Sequence, residues 1–460
     1  MTKSSVTTEA TQTTDEEVSR DFVRQVSAAI DERAAVPLKI LVTDLHESDL
    51  ADLLENLPPN YRNDFIELMG TEFNIDVYAQ LEEPVRAQIV EDMPNDQVAD
   101  VIRKLDTDDA VYLIEDLEQA EQTAILEQIP EIERAPLERS LEYPDDSAGR
   151  LMQADFIAVP PFWSVGQTID YMRETKDLPD HFSEIYVINP DFHLLGILPL
   201  NRLLRSGRPT RVSDIMDDDH KIIEADLDQE EVARQFERYN LLSAPVVDND
   251  QRLLGVVTVD DVVDVIQEEA EEDIKRLGGV GDEALSDTVI NITKSRFTWL
   301  MINLFTAILA SVVINMFEAT INEKVALAVL MTIVASMGGN AATQTMTVSV
   351  RALATKELNT VNAIRIITRE GLVGLANGVL FAFVTGLVTL IWFQNLGLAV
   401  IMGTAMIFNM LIAGFSGILI PMILERLKID PAVASSVFVT TVTDIVGFFS
   451  FLGLAALFLI

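Results

Sequence analysis

Apolar residues recur every 12 positions through the first part of the chain, each followed by spacing that suits a helix. Each unit has Pro, Asp or Glu close to its start, as the beginnings of helices often do. Three units that show the pattern are MPNDQVADVIRKL, LDTDDAVYLIEDL and LEQAEQTAILEQI. Short helices of this kind stack so that neighbours bury each other's apolar faces. The pattern predicts a helical-repeat domain over 19–146, after a polar stretch at 1–18 that predicts a disordered tail. The recurring positions are Leu45, Leu57, Met69, Leu81, Met93, Leu105, Leu117, Ile129 and Leu141.

Two related segments follow, each an apolar, β-branched run with a short polar turn and then a helix-compatible stretch. The sequences EIYVINPDFHLLGILPLNRLLR and SAPVVDNDQRLLGVVTVDDVVDVI are typical of β-β-α units. We therefore expect two small α+β domains, at 147–207 and 208–262. An acidic connecting segment over 263–294 comes next, with a helix predicted over Asp261–Leu277.

Five long apolar segments complete the chain, each long enough for the roughly 20 helical residues that cross a bilayer. They predict an all-α five-helix transmembrane domain over 295–460. Six Lys and Arg residues lie in the loops on one side and Lys324 on the other, so the positive-inside rule predicts cytoplasmic N-terminal domains and an external C-terminus. The predicted spans are Phe297–Phe317, Val325–Val350, Gly371–Phe393, Leu398–Leu424 and Ala432–Ile460.

Composition narrows the kind of partner. The chain has no cysteine and only four histidines, which excludes disulfides and thiolate sites and argues against zinc or copper. Its net charge is −40, and the part from Phe297 onward holds seven acidic and seven basic residues, so the whole excess precedes it. Such acidity argues against nucleic acid and favours cations. We find no catalytic constellation and expect a protein that is not an enzyme.

Two motifs within the spans carry the candidate chemistry. Asp444 lies in an apolar run, where a carboxylate is costly and usually marks an ion or proton route. In SMGGN, adjacent glycines are expected to loosen a helix and expose carbonyls, although membrane glycines also serve close packing. Threonine hydroxyls can bond their own i−4 carbonyls, so the threonines beside Asp444 need no ligand role. The candidate pore residues are Asp444, Gly339, Asn340, Gln344 and Thr440.

Carboxylates of the soluble part are candidates for regulatory cation binding. Asp96 and Asp100 share a helix face, and Glu268–Asp273 crowd into little more than one turn of the connecting helix. The alternative is an ordinary solvated surface, which we also expect for the outer face that carries Asp106, Asp108 and Asp109. The candidate metal ligands are Asp444, Asp96, Asp100, Asp226, Asp264, Glu268, Glu269, Glu271, Glu272 and Asp273.

These motifs together resemble the MgtE family of magnesium channels over nearly the whole chain. The resemblance is carried by YPDDSAGRLM before the paired segments, SMGGN, VRALATKEL and the DPA…TTVTD stretch that ends at Asp444. It implies an acidic N domain, tandem CBS domains, a plug helix and a five-span pore domain. It also implies a homodimer with a central pore, Mg²⁺ as the transported and regulatory ion, and Asp444 as the pore carboxylate. The chain departs from the family pattern at Ala342, Thr343, Ser435, Ser436 and Val437.

The second paired segment also resembles the nucleotide-contacting form of a CBS domain. Gly255, Thr258 and Asp261 fit that pattern, which implies ATP as a further ligand, whereas Pro199 and Arg202 stand at those places in the first segment. The alternative is that Asp261 caps the helix that follows it.

The resulting hypothesis is a magnesium-selective channel of a bacterial or archaeal inner membrane, in contact with lipid. Mg²⁺ bridging acidic cytoplasmic domains would close it, and carboxylate repulsion would open it at low Mg²⁺. Two alternatives remain open at this point. One is a channel for a broader set of ions, Co²⁺, Mn²⁺ and Ni²⁺ among them, and the other is a membrane-anchored CBS nucleotide sensor.

Overall fold

The computed structural model describes residues 19–115, 117–176, 178–179, 181–280, 289–358 and 361–459 of the 460-residue chain. The predicted tail at 1–18 and residues 281–288 of the connecting segment lie outside the described residues. The chain divides into two compact units, the first ending at Ile266 and the second beginning at Gln267. We describe each unit by itself.

The first unit begins with the predicted helical repeat. All nine recurring apolar positions pack into one hydrophobic core, with Leu57, Met69, Leu81 and Ile129 fully buried. The repeat is interrupted once, because Gly70 ends α4 with a positive φ of 57° and two 3₁₀ turns follow in place of an α-helix. The helices are α1 Arg20–Asp31, α2 Ala35–Val42, α3 Glu47–Asn56, α4 Pro59–Met69, α5 Glu83–Glu91, α6 Asn95–Ile102, α7 Thr107–Ile114, α8 Gln119–Leu126 and α9 Glu131–Leu141.

Two three-stranded sheets of the same topology follow in the first unit. In each, a short strand pairs in parallel with the first strand of an antiparallel hairpin. The hairpins match the predicted β-β-α units. The sequence pattern did not predict the strand and helix that precede each hairpin, and each of those strands is only two residues long. The elements are α10 Ala148–Leu151, β1 Ala158–Val159, α11 Val165–Glu174, β2 Glu184–Ile188, β3 Leu194–Pro199, α12 Leu200–Arg205, β4 Ile223–Glu224, α13 Gln229–Tyr239, β5 Ser243–Val247 and β6 Leu253–Thr258.

A single connecting helix, α14 Val259–Leu277, leaves the second sheet and crosses the limit between the units. It begins two residues before the predicted Asp261 and ends at the predicted Leu277. At about 1.5 Å per residue its 19 residues extend roughly 28 Å. Residues at its start and at its end therefore belong to different units.

The second unit contains the predicted five helices that are long and apolar enough to cross a membrane. Helix α19 packs against α17, α18 and α20 and is half buried within the unit. A short helix that the sequence pattern did not predict, α16, joins the first two spans. The helices are α15 Val289–Met316, α16 Glu318–Glu323, α17 Ala326–Ala354, α18 Ala363–Phe393, α19 Leu396–Arg426 and α20 Pro431–Phe458.

The expectation that the glycine pair loosens its helix is wrong. Helix α17 runs unbroken from Ala326 to Ala354, through Gly338 and Gly339. Gly338 instead allows close packing, since a Cβ added there would come within 2.1 Å of the side chain of Asn409 on α19. This is the alternative reading of membrane glycines, in which small residues let helices approach.

Candidate functional site

A stripe of polar side chains follows one exposed face of α17. Its members are spaced by 4, 4, 3 and 4 residues, which at about 100° per residue places them within an arc of roughly 80°. Gln344 is exposed beside the stripe, and the candidate Asn340 lies at its centre. The α17 stripe consists of Thr332, Ser336, Asn340, Thr343 and Thr347.

The candidate residues of α20 lie next to this stripe. A Cβ added at Gly339 would stand 3.8 Å from Cγ2 of Thr440, so the two candidate segments are neighbours across α17 and α20. Thr440 is exposed, and its hydroxyl donates to the carbonyl of Ser436 at 2.8 Å, the i−4 bond that needs no ligand. Asp444 is one further turn along the same face and is half-buried.

The carboxylate of Asp444 makes no hydrogen bond or ion pair with any other residue of the described ranges. Thr440, one turn earlier on the same helix, is exposed, and so is Asn340 on α17. An unpaired carboxylate on a membrane helix is costly, and such groups usually face a bundle interior or a water-filled path.

The cytoplasmic candidates of α14 are partly committed to partners on the chain. Arg276 contacts both Glu272, one turn earlier, and Asp430, the residue that caps α20. Burial first, and then the charge of Asp430, raises the pKa of Asp273, while Arg351 lowers it. Glu271 accepts a hydrogen bond from the Gln267 side chain at 3.1 Å. The end of α14 thus lies beside the start of α20 in a cluster of mixed charge.

Carboxylates of α7 and of the start of α14 lie close enough to influence each other within the first unit, which the sequence did not predict. Asp108 and Asp109 are half-buried rather than on the outer face, and Oδ1 of Asp108 is inaccessible without a hydrogen-bond partner among the described residues. Burial first, and then the charge of Asp261, raises the pKa of both, that of Asp109 to about 7. The nearby Asp260 contributes to the shift of Asp109. We call these four residues the α7–α14 carboxylates.

The candidate nucleotide contacts are bonded to each other. The Thr258 hydroxyl donates to Oδ2 of Asp261 at 2.5 Å, and the Thr258 backbone N–H also donates to that carboxylate. Burial is the main cause that raises the pKa of Asp261, to about 6. A carboxylate that accepts from a backbone N–H three residues earlier is the arrangement of a helix start, so the capping alternative has direct support.

The remaining candidates do not form one cluster, although Asp264 lies one helical turn from Asp260 and Asp261 on α14. Asp96, Asp226 and Asp264 are exposed, and Asp100 lies 3.8 Å from Arg103 as an exposed ion pair. Within the described ranges, no group of three or more His, Asp or Glu side chains is close enough to hold a metal ion. The candidate ligands therefore stand as separate carboxylates rather than as one assembled cage.

Family models match most of the chain. The second unit matches a divalent cation transporter model over residues 331–454. The first matches the MgtE intracellular N domain over 45–146 and the CBS domain over 148–208 and 212–268. These matches identify a divalent cation transporter that carries an MgtE N domain and a CBS pair.

Sequence identity to known transporters identifies the family of this chain. The chain is 34% identical over 322 residues to the magnesium transporter MgtE of Bacillus subtilis, covering 69% of this chain and 71% of that protein. It is 33% identical over 319 residues to the magnesium transporter MgtE of Enterococcus faecalis, covering 69% and 70%. The chain belongs to the MgtE family of magnesium transporters.

Solved structures are similar over the first part of the chain. The cytosolic domain of the Mg²⁺ channel MgtE in complex with ATP shares 28% identity and a TM-score of 0.49, covering 53% of this chain and 99% of that one. The soluble part of a magnesium transporter shares 24% identity and a TM-score of 0.49, covering 54% and 98%.

Proposed function

We propose that the chain forms a magnesium-selective channel of the inner membrane, gated by intracellular Mg²⁺. The observation that carries the proposal is the exposed polar face of α17 and α20, with the unpaired carboxylate of Asp444 on it. The threonine hydroxyls bond carbonyls of their own helices, but an amide such as that of Asn340 and the carboxylate of Asp444 would be costly against hydrocarbon and are solvated along a water-filled path. Its relatives are named transporters, and we propose no enzymatic step.

A homodimer would place this face on both sides of one path. Two Asp444 carboxylates, one from each copy, hold a divalent ion better than a monovalent one because each adds to the attraction. Mg²⁺ sheds its waters reluctantly, so hydroxyls and amides such as Thr440 and Asn340 would contact the hydrated ion. Few fixed charges keep binding weak enough for release.

Ion flux tests this part of the proposal. Purified protein in liposomes should carry Mg²⁺, and Asp444→Asn, which keeps shape and polarity, should abolish that flux while dimerisation is retained. Asp444→Glu should retain partial function at most. Normal Mg²⁺ flux through Asp444→Asn would place selection elsewhere. Flux of Co²⁺, Mn²⁺ or Ni²⁺ at the same rate would favour the broader channel, and no flux at all the membrane-anchored sensor.

For gating, we propose that Mg²⁺ relieves the repulsion among the α7–α14 carboxylates and among those at the end of α14. Two carboxylates about 4 Å apart repel by roughly 1 kcal/mol in water and about 4 kcal/mol at an effective dielectric near 20. A bridging hydrated ion removes that repulsion without requiring three or more assembled ligands. Because α14 carries Asp261 near its start and Asp273 near its end, one helix would report both sites.

The same proposal extends to Asp96, Asp100, Asp226, Asp264 and the glutamates of α14 as regulatory ligands. ATP is a second candidate effector at Thr258 and Asp261, where a nucleotide would compete with their mutual hydrogen bond. We further propose the domain limits stated above, cytoplasmic N-terminal domains and an external C-terminus. The placement of the N domain agrees with the family model for an intracellular N domain.

A further inference from the structure

Asn409 is a buried amide in the middle of the apolar helix α19. Its side chain is completely inaccessible. Its Nδ2 donates to the carbonyl of Val334 on α17 at 2.7 Å, and its Oδ1 has no hydrogen-bond partner in the described ranges. A buried amide whose carbonyl oxygen accepts no hydrogen bond lowers stability, so we looked for a role of Asn409 other than stabilising the fold.

Two glycines make the room that Asn409 occupies. A Cβ added at Gly338 of α17 would lie 2.1 Å from its Nδ2, and one added at Gly447 of α20 would lie 2.9 Å from the same atom. The amide is therefore wedged between two helices other than its own. The side chain thus fixes how closely α17 and α20 approach α19 at this level.

Both glycines adjoin candidate pore residues. Gly338 directly precedes Gly339 and Asn340, and Gly447 follows Asp444 by three residues, which is nearly one helical turn. Any shift of the wedge would move the polar segment of α17 relative to the carboxylate of α20. We propose that Asn409 is a positioning residue for permeation, which sets the spacing between Asn340 and Asp444 without touching the ion.

This inference rests on the proposed function, since it takes Asp444 to face the ion path. A residue that only held the bundle together would lower the amount of folded protein and its melting temperature. A positioning residue also changes how ions are distinguished, because the spacing of the ligands then decides which hydrated ion fits. Selectivity is therefore the readout that separates the two roles.

The test measures Mg²⁺ uptake, its half-saturating concentration and the Mg²⁺ to Ca²⁺ flux ratio in liposomes, with the melting temperature of each variant. We expect Asn409→Ala to lower the flux ratio by about tenfold, which corresponds to about 1.4 kcal/mol of lost discrimination. The matched control is Asn303→Ala, an exposed amide on the spanning helix α15, and should keep the wild-type ratio. A wild-type ratio in Asn409→Ala would overturn the proposal.

Paired substitutions keep the test decisive if one variant folds poorly. Gly338→Ala alone should impair uptake, because its Cβ would clash with Asn409. Asn409→Ala with Gly338→Ala should recover uptake and melting temperature above those of Gly338→Ala, since the new methyl fills the freed space. No recovery would contradict the wedge. Asp444→Asn is run alongside: normal flux in that variant refutes the proposed pore, whereas its loss together with unchanged selectivity in Asn409→Ala refutes only the positioning role.

Discussion

Replacing Asp109 by Asn tests the gating proposal at one of the buried carboxylates whose pKa is raised. The pKa of Asp109 rises from 3.8 to about 7, mainly through burial and then through Asp261. Three pKa units correspond to about 4 kcal/mol, at roughly 1.36 kcal/mol per unit. That is an order-of-magnitude cost of keeping the ionised group in the α7–α14 contact.

A bound cation can relieve only the part of this free-energy cost that comes from neighbouring negative charge. Burial is the larger cause of the raised pKa, and a cation does not remove that part. A cation that relieves about 1.4 kcal/mol at one carboxylate shifts an equilibrium about tenfold. Moving a gate from 1:99 to 99:1 needs about 5.5 kcal/mol, so a few such carboxylates suffice. Asp109→Asn removes the charge and should let the contact form with little Mg²⁺.

The assay is limited proteolysis of the full-length protein in detergent, titrated with Mg²⁺ at pH 8. We expect the Mg²⁺ concentration for half-maximal protection to fall at least tenfold in Asp109→Asn. Asp49→Asn is the matched control, because it removes the same charge from an exposed position on α3. Equal midpoints in wild type, Asp109→Asn and Asp49→Asn would refute the reasoning.

The direction of the pH dependence follows from the raised pKa. Protonated Asp109 favours the closed contact, a contribution that is fully present below 3.8 and lost as the pH rises through about 7. The wild-type protein should therefore need less Mg²⁺ for protection at pH 6 than at pH 8. Asp109→Asn should show a smaller difference, and an opposite slope in the wild type would contradict the assignment.

Three further outcomes can be measured on the same protein. Glu268, Glu269, Glu271 and Glu272 can be changed together to Gln. This variant should show weaker Mg²⁺-dependent protection from protease, and its channel should stay open at high Mg²⁺. Unchanged protection would oppose a sensing role for α14. A reporter fused after Ile460 should be active only outside the cytoplasm, and activity of a cytoplasm-only reporter there would reverse the proposed topology. ATP should raise the melting temperature of the wild type more than that of Thr258→Val, and equal shifts would leave Asp261 as a helix cap alone.

Periodicity and hydropathy predicted the architecture because both are local properties of the chain. The 12-residue recurrence identified nine positions of one core, and five apolar segments identified five spanning helices. The α17 stripe also had a signal, the 4-4-3-4 spacing of Thr332 to Thr347, although only its centre was recognised. Such patterns can be read without knowledge of what packs against them.

What failed depended on contacts distant in sequence. The glycine pair was expected to loosen α17, but Asn409, some 70 positions later, fills the space above Gly338. Asp108 and Asp109 were placed on a solvated face, whereas α14 brings Asp261 near them. Asn409 itself had a usable signal, a lone amide in an apolar span, of the same kind that pointed to Asp444.

Arg276, between Glu272 and Asp430, is a cation that the chain carries with it. Because Arg276 is part of the chain, its positive charge stays beside these carboxylates when free magnesium is scarce. The contacts between the end of α14 and the start of α20 therefore contain no metal ion and need none to form. If the gating proposal holds, these two ion pairs are a part of α14 that Mg²⁺ does not have to assemble.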